Sequence, residues 1–291
     1  MLTRRELVAG AAALTAASSS DEAGAQQGAQ ITRAMLVSML PKEVSYLDRF
    51  KMSVDRGYPE REARTVETAT EAREIKNAAD KAGLRIHSVM NQKHWAYPLS
   101  SADPAEVDAG IAGMEASIEQ AKLYGADTVL PVTAVVREDA TYEQAWERSQ
   151  KVIRERVLPV AEKADIVVGI EEVWNKFLRT ARDFCQYIDE FNHPLMKAYF
   201  DVGNIVHYGV PEHWIRAIGD RIVKVHLKDY SRKTGFVNLG DPDDGGVNWP
   251  EVRKAFDEIG YHGAATVELR AGDRAYLDDL GKRVDRLLSL G

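Results

Sequence analysis

Four residues able to ligate a metal stand at the ends of four short apolar runs in the second half of the chain. Glu171 closes DIVVGIE, Asp201 closes AYFD, His226 lies in RIVKVHLKD and Glu268 in AATVELR. Read as β-strands, successive side chains point to opposite faces. Val167, Gly169 and Glu171 then share one face, and Ile166, Val168 and Ile170 the other. Lys224, His226 and Lys228 oppose Val223, Val225 and Leu227, while Thr266, Glu268 and Arg270 oppose Ala265, Val267 and Leu269. Strands buried on both faces read as nearly continuous apolar runs, so carboxylates and an imidazole repeated on one face need a cause. One metal ion at the mouth of a parallel barrel supplies it. Three carboxylates and one imidazole make a hard, oxygen-rich set. It favours Mn²⁺, with Mg²⁺ or Co²⁺ as alternatives; structural zinc would bring more Cys and His.

The elements that must position these residues follow a regular alternation. Strands are expected at Met35–Leu40, Ala63–Glu67, Leu84–Val89, Thr128–Val132, up to Glu171, over MKAYFD to Asp201, at Ile222–Leu227 and up to Glu268. Between them, helical patterns cover Val44 to Phe50, Thr68–Ala82 with Gly83 as C-cap signal, Pro104 to Gly125, and Tyr142–Ala164. Further helices are expected at Thr180–Phe191, from Pro211, at Trp249–Ile259 and at Tyr276–Leu290, with a Gly/Asp-rich loop over Thr234–Asn248. Eight βα units in one chain of 291 residues predict an α/β fold, a single (β/α)₈ TIM barrel. No Gly-x-Gly-x-x-Gly follows a strand, which weighs against a dinucleotide site. In such barrels the active site lies at the C-terminal ends of the strands, where all four candidate ligands fall.

Composition is that of an ordinary globular protein, 45% hydrophobic and 29% charged. A net charge of −7 argues against a nucleic-acid partner, which needs a basic footprint. The single cysteine, Cys185, excludes an intrachain disulfide and reads as a small buried hydrophobe. No run of about 18 apolar residues offers a stable membrane anchor. Residues 1–25 differ from the rest: Arg4-Arg5 precedes an alanine-rich run, Val8 to Ala17, and a small-residue site at Ala23-Gly24-Ala25. This pattern resembles a twin-arginine signal peptide. The expectation is a periplasmic protein whose barrel domain spans residues 26–291, folded around its metal before export.

AYFDVGN, VKVHLKD and TVELR together resemble the signature strands of the xylose isomerase-like barrel family, which includes sugar isomerases and 3-epimerases and, more remotely, nucleases of the endonuclease IV type. The resemblance spans the chain after its leader and is strongest from Ile166 to Arg270. It implies the ligand set Glu171, Asp201, His226 and Glu268, with Glu172 the alternative to Glu171; strand parity selects Glu171. It also implies a mechanism that the chemistry supports. The metal holds a vicinal carbonyl and hydroxyl of a sugar, one glutamate removes the acidified proton, and the metal stabilises the enediolate. Glu171 and Glu268, from opposite sides of the mouth, are the catalytic pair. Acting on opposite faces of one carbon they epimerise it; moving the proton between two carbons, they interconvert aldose and ketose.

Further substrate contacts are expected from His87, Trp95, Trp174, Asn175, Asn204, Lys228 and Arg270. His87 has the rival reading of a core histidine, Lys228 and Arg270 that of rim ion pairs, and the tryptophans that of an apolar lid. Asn204 replaces a histidine that many relatives carry three residues after the aspartate, and Glu67 is a further weak candidate. The acidic GDPDDGG loop favours an unphosphorylated sugar. Competing readings are a lyase acting on an oxidised keto-glycoside and a catalytically inactive sugar-binding barrel; a histidine-rich zinc nuclease fits poorly with seven histidines and negative charge. Apolar outer helices leave a homodimer open.

Overall fold

The computed structural model describes residues 31–138, 140–241 and 246–289. The expected leader therefore lies outside the described residues. Eight parallel strands close into a barrel: β1 (Thr32–Leu36), β2 (Glu60–Arg64), β3 (Arg85–Met90), β4 (Thr128–Leu130), β5 (Val167–Glu171), β6 (Met196–Asp201), β7 (Ile222–Leu227) and β10 (Ala264–Val267), with β10 pairing both β7 and β1. A two-stranded antiparallel hairpin, β8 (Asp229–Ser231) and β9 (Gly235–Val237), rises directly from the end of β7. Among the described residues, no helix is long and apolar enough to cross a membrane.

Helices follow the strands: α1 (Tyr46–Val54), α2 (Ala69–Ala82), α3 (Pro104–Tyr124), α4 (Tyr142–Val152), α5 (Leu158–Ala164), α6 (Ala181–Asp189), α7 (Val202–Tyr208), α8 (Pro211–Ile218), α9 (Trp249–Glu258) and α10 (Arg274–Leu288). Their limits are chemically marked. Thr68 accepts the Glu71 N–H at the start of α2, and Gly83 ends it in the left-handed region (φ 64°), where a Cβ would be strained. Thr141 and Gln144 cap α4 reciprocally, each side chain accepting the other's backbone N–H. The outward faces of the strands, including Val168, Ile170, Val225 and Val267, are buried with helix residues such as Phe50, Ile75, Met114, Phe184, Ile215, Phe256 and Val284 in one apolar core.

Inside the barrel the filling is polar and layered. At the bottom, Arg85 pairs with Glu60 (2.7 Å) and Asp127, which also meets Lys224 (2.8 Å). Above them Tyr199 O–H donates to Glu62 (2.7 Å), and His87 bonds Thr266 (2.9 Å). The upper layer holds the candidate ligands. Gly169 opens the middle: a Cβ there would sit 3.1 Å from Thr128 Cγ2 and 3.4 Å from Tyr199 Cδ2, so it faces the interior, as does Glu171 two residues on.

The architecture agrees with the expected barrel, while several boundaries move. β1 runs Thr32–Leu36, because its ladder to β10 starts at Thr32 and the chain then turns through Val37–Met39. β2 is Glu60–Arg64 and not Ala63–Glu67; its charged letters hide a strand whose Arg61 and Glu62 are fully buried. The expected helix Tyr142–Ala164 is interrupted by a π-helical turn at Ile153–Val157 just before Pro159. A proline supplies no N–H to the preceding turn and its ring crowds the carbonyl four residues back, so the turn widens.

Helix α7 packs against the strand end that carries Lys228. A Cβ at Gly203 would lie 2.6 Å from Lys228 Cβ and 2.9 Å from its backbone carbonyl carbon. Gly203→Ala is therefore expected to cost about 1–3 kcal/mol in urea unfolding.

Candidate metal centre at the barrel mouth

Glu171, Asp201, His226 and Glu268 converge at the C-terminal mouth, each offering a ligand atom within 4.8 Å of all the others. Their placement follows from local structure. Glu171 and Asp201 are the last residues of β5 and β6, and Glu268 directly follows β10, its N–H bonded to the Leu227 carbonyl. Asp201 is pinned twice. Its Oδ1 caps α7 by accepting the Asn204 N–H (2.8 Å), and its own N–H donates to Glu172 Oε1 (2.9 Å). Glu172, the alternative ligand, thus supports Asp201 from outside the quartet. Burial, then the charges of Asp201 and Glu171, push its carboxyl well above the usual range.

His226 Nδ1 lies 2.9 Å from Glu171 Oε1, 2.8 Å from Glu268 Oε2 and 3.8 Å from Asp201 Oδ2. On its other side Nε2 is 2.6 Å from Glu62 Oε2. A carboxylate on Nε2 holds a proton there, so Nδ1 is the atom that would face a metal on giving up its own proton, the usual way a ligating imidazole is oriented. Burial opposes charge on His226, but Glu62, Glu268 and Glu171 outweigh it and raise its pKa well above the ordinary value.

Lys228 Nζ stands 2.9 Å from both Asp201 Oδ2 and Glu268 Oε2. Those two oxygens are buried and face the cations of Lys228 and His226 outside regular hydrogen-bond geometry, so both have capacity for a further electrophile. A buried, oxygen-rich set with two such atoms fits a divalent cation. The acid–base properties of the two glutamates diverge. Burial raises Glu171 to about 7 despite His226 and Lys228. For Glu268 burial acts the same way, but His226 and Lys228 outweigh it and hold the carboxyl far below the usual range.

The remaining expected substrate residues divide. Lys228 is at the centre. Trp174 is at the rim, its Nε1–H bonded to the Asn204 carbonyl (3.0 Å) and its ring against His207, Tyr230 and Phe236. Trp95 is half exposed, with its edge on His94. Four of the expected residues have other partners within the protein. His87 is a fully buried core histidine below the site, where burial and then nearby cations, Lys224 first, hold it neutral. Asn175 spends its amide on backbone, donating to the Ala134 carbonyl (2.6 Å) and accepting from the Phe177 N–H (3.0 Å). Asn204 donates to the Glu172 carbonyl (3.1 Å), bracing β5 against β6. Arg270 is exposed, its guanidinium over Tyr276 (5.0 Å) rather than in the metal site. Glu67 is also exposed and pairs with Lys93 (3.0 Å).

Glu62 was hidden because EREAR reads as a polar segment; its signal lay in the parity of β2, three strands around the barrel from β7, not in composition. His94 was also missed. It is buried in the loop after β3, and its Nδ1 accepts the Val132 N–H (3.2 Å), which places its proton on Nε2.

A closed parallel barrel with a carboxylate–imidazole quartet at its C-terminal mouth defines a metal-site barrel of the enzyme type. The chain belongs to the xylose isomerase-like TIM barrel family, whose family model matches residues 50–286. It is 25% identical to an L-ribulose-5-phosphate 3-epimerase of Salmonella heidelberg over 235 residues, 79% of this chain and 80% of that one. Among solved structures, a D-allulose 3-epimerase from Methylomonas sp. in complex with D-allulose matches with a TM-score of 0.74 and 18% identity, covering 89% of this chain and 96% of the other. A 3-keto-D-glucoside 4-epimerase from E. coli matches with a TM-score of 0.74 and 15% identity, covering 89% and 99%. The family and these relatives are consistent with an isomerase-class enzyme.

Two outcomes are expected. Glu62→Gln, which weakens the acceptor behind His226, should lower divalent-metal affinity about 10–100-fold in a metal titration of the folded protein. His94 is lowered by burial to about 4, so the unfolded chain takes up a proton that the native chain refuses as pH falls below about 6.5. Its stabilising contribution is complete above that pH and shrinks on acidification. Between pH 7 and 5 the wild type should lose about 2 kcal/mol more unfolding free energy than His94→Gln in paired urea titrations.

Proposed function

We propose that the chain is a divalent-metal-dependent sugar isomerase or epimerase acting on an unphosphorylated keto-sugar. The observation that carries the reading is the pairing of Glu171 and Glu268 on the two sides of His226 Nδ1, at 2.9 and 2.8 Å, with Lys228 held between Glu268 and Asp201. Glu171, Asp201, His226 and Glu268 would hold the ion, with Mn²⁺ favoured by the hard donor set. When bound, the cation polarises a carbonyl and its neighbouring hydroxyl, acidifying the C–H between them.

The protein's own groups do the rest. One of the two glutamates takes the proton and the other returns one, to the opposite face of the same carbon or to its neighbour. Lys228 faces the developing negative charge on the substrate oxygens and balances the carboxylates around it. Glu62 and Tyr199 keep the imidazole in one tautomer. Relatives named as L-ribulose-5-phosphate, D-allulose and 3-keto-D-glucoside epimerases support proton exchange beside a carbonyl as the shared chemistry. The acidic loop after β7 supports a substrate without phosphate. The leader-like residues 1–25 support action in the periplasm.

The test is solvent exchange. Protein loaded with Mn²⁺ should move deuterium from D₂O into the carbon-bound position beside the carbonyl of a ketose panel, read by NMR. Glu171→Gln and Glu268→Gln should each slow exchange by about 10²–10⁴-fold. Metal-loaded protein that exchanges no ketose proton would overturn the reading. A product lacking the glycosidic bond, obtained from a keto-glycoside, would redirect it to elimination.

A further inference from the structure

Beside the metal centre lies a cleft of about 350 Å³ that the quartet does not use, lined by Phe236, Val237, Asn238, Leu269, Arg270 and Tyr276 among others. It adjoins the site on two sides. Leu269 and Arg270 directly follow Glu268, and Lys228 Nζ lies over the Phe236 ring, 5.7 Å from its centroid. Trp174 holds Phe236 in place by parallel stacking at 5.1 Å, while half of Phe236 stays exposed. On the far wall Arg270 lies over the Tyr276 ring. We propose that this cleft is a second sugar subsite, and that the substrate is a glycosylated ketose whose ketose end meets the metal while its glycosyl ring enters the cleft. The inference rests on the sugar reading of the metal site.

The lining chemistry is that of carbohydrate recognition. Aromatic rings offer flat apolar surface to the C–H face of a pyranose, and Arg270 and Asn238 offer polar groups to its hydroxyls. The volume is at the lower end of the range of small-molecule sites, about 300–1,000 Å³, and suits one ring. A phosphate is the competing occupant, and charge disfavours it. The start of α10 at this cleft is already capped by a carboxylate, Asp273 accepting the Tyr276 N–H (2.9 Å), which an anion would have to approach.

The experiment is calorimetric titration of the Mn²⁺-loaded full chain with D-fructose, lactulose, isomaltulose and D-fructose 6-phosphate. Lactulose and isomaltulose carry the glycosyl group on O4 and O6 and leave C2 and C3 of the ketose free for the metal. At least one of them is expected to bind about tenfold more tightly than fructose, a gain typical of one stacked ring. Phe236→Ala and Arg270→Ala should each bring that ratio towards one, with metal content measured on every sample to verify the site. Equal binding of fructose and both disaccharides overturns the subsite, as does a ratio that survives both substitutions. A gain confined to fructose 6-phosphate assigns the cleft to a phosphate instead. If fructose itself fails to bind metal-loaded protein, the sugar reading of the metal site fails and the subsite falls with it.

Discussion

The hydrogen bond between Glu62 and His226, 2.6 Å long and fully buried, is the contact on which the mouth of this barrel depends. It joins β2 to β7 across the interior and fixes which nitrogen of the imidazole can face a cation. The same Glu62 oxygen accepts from Tyr199 on β6, so three strands meet at one carboxylate. With that carboxylate in place, His226 Nδ1 turns towards Glu171, Asp201 and Glu268, and the four ligand atoms fall within reach of one ion. A buried carboxylate is costly unless paired. Here the pairing and the site geometry are the same interaction.

Around this contact, charge is arranged so that the site tolerates its own acidity. Three carboxylates within a few ångströms would repel one another strongly in a low-dielectric interior. His226 and Lys228 supply the opposing charge, and their unequal reach separates the two glutamates. Glu268, touched by both cations, is held as a carboxylate; Glu171, more deeply buried and touched only by His226, sits near neutrality. A bound cation adds positive charge to the same atoms and lowers both. Pairs of carboxyls driven apart by their surroundings are the usual means by which one site both removes and returns a proton.

The polar support outside the quartet is backbone-directed. Asn175, Asn204 and Glu172 spend their side chains on carbonyls and N–H groups in the segments that follow β4 and β5 and at the end of β6, where the chain leaves the regular ladder and needs partners. They hold the strand ends that carry Glu171 and Asp201. Beyond them the hairpin β8–β9 brings Phe236 over Lys228 and turns a bare strand end into one wall of a cleft.

The fold class and the quartet were legible in the one-dimensional pattern, because strand parity and the ends of apolar runs are local properties. Glu171 could be preferred to Glu172 on that ground alone, and Thr68, Gly83 and Pro104 marked helix limits by cap chemistry that needs no tertiary partner. Tertiary structure decided what depends on neighbours far along the chain. Glu62 lies 164 residues from His226, in a strand whose charged letters make sense only once the barrel closes around them. The same closure turns His87 into core, since whether an inward residue of β3 lies below or within the mouth depends on strand register, which a single strand does not carry. Asn175 and Asn204 have the right types for substrate contact, but a side chain has one set of bonds to make, and the fold commits these to backbone and to a strand brace.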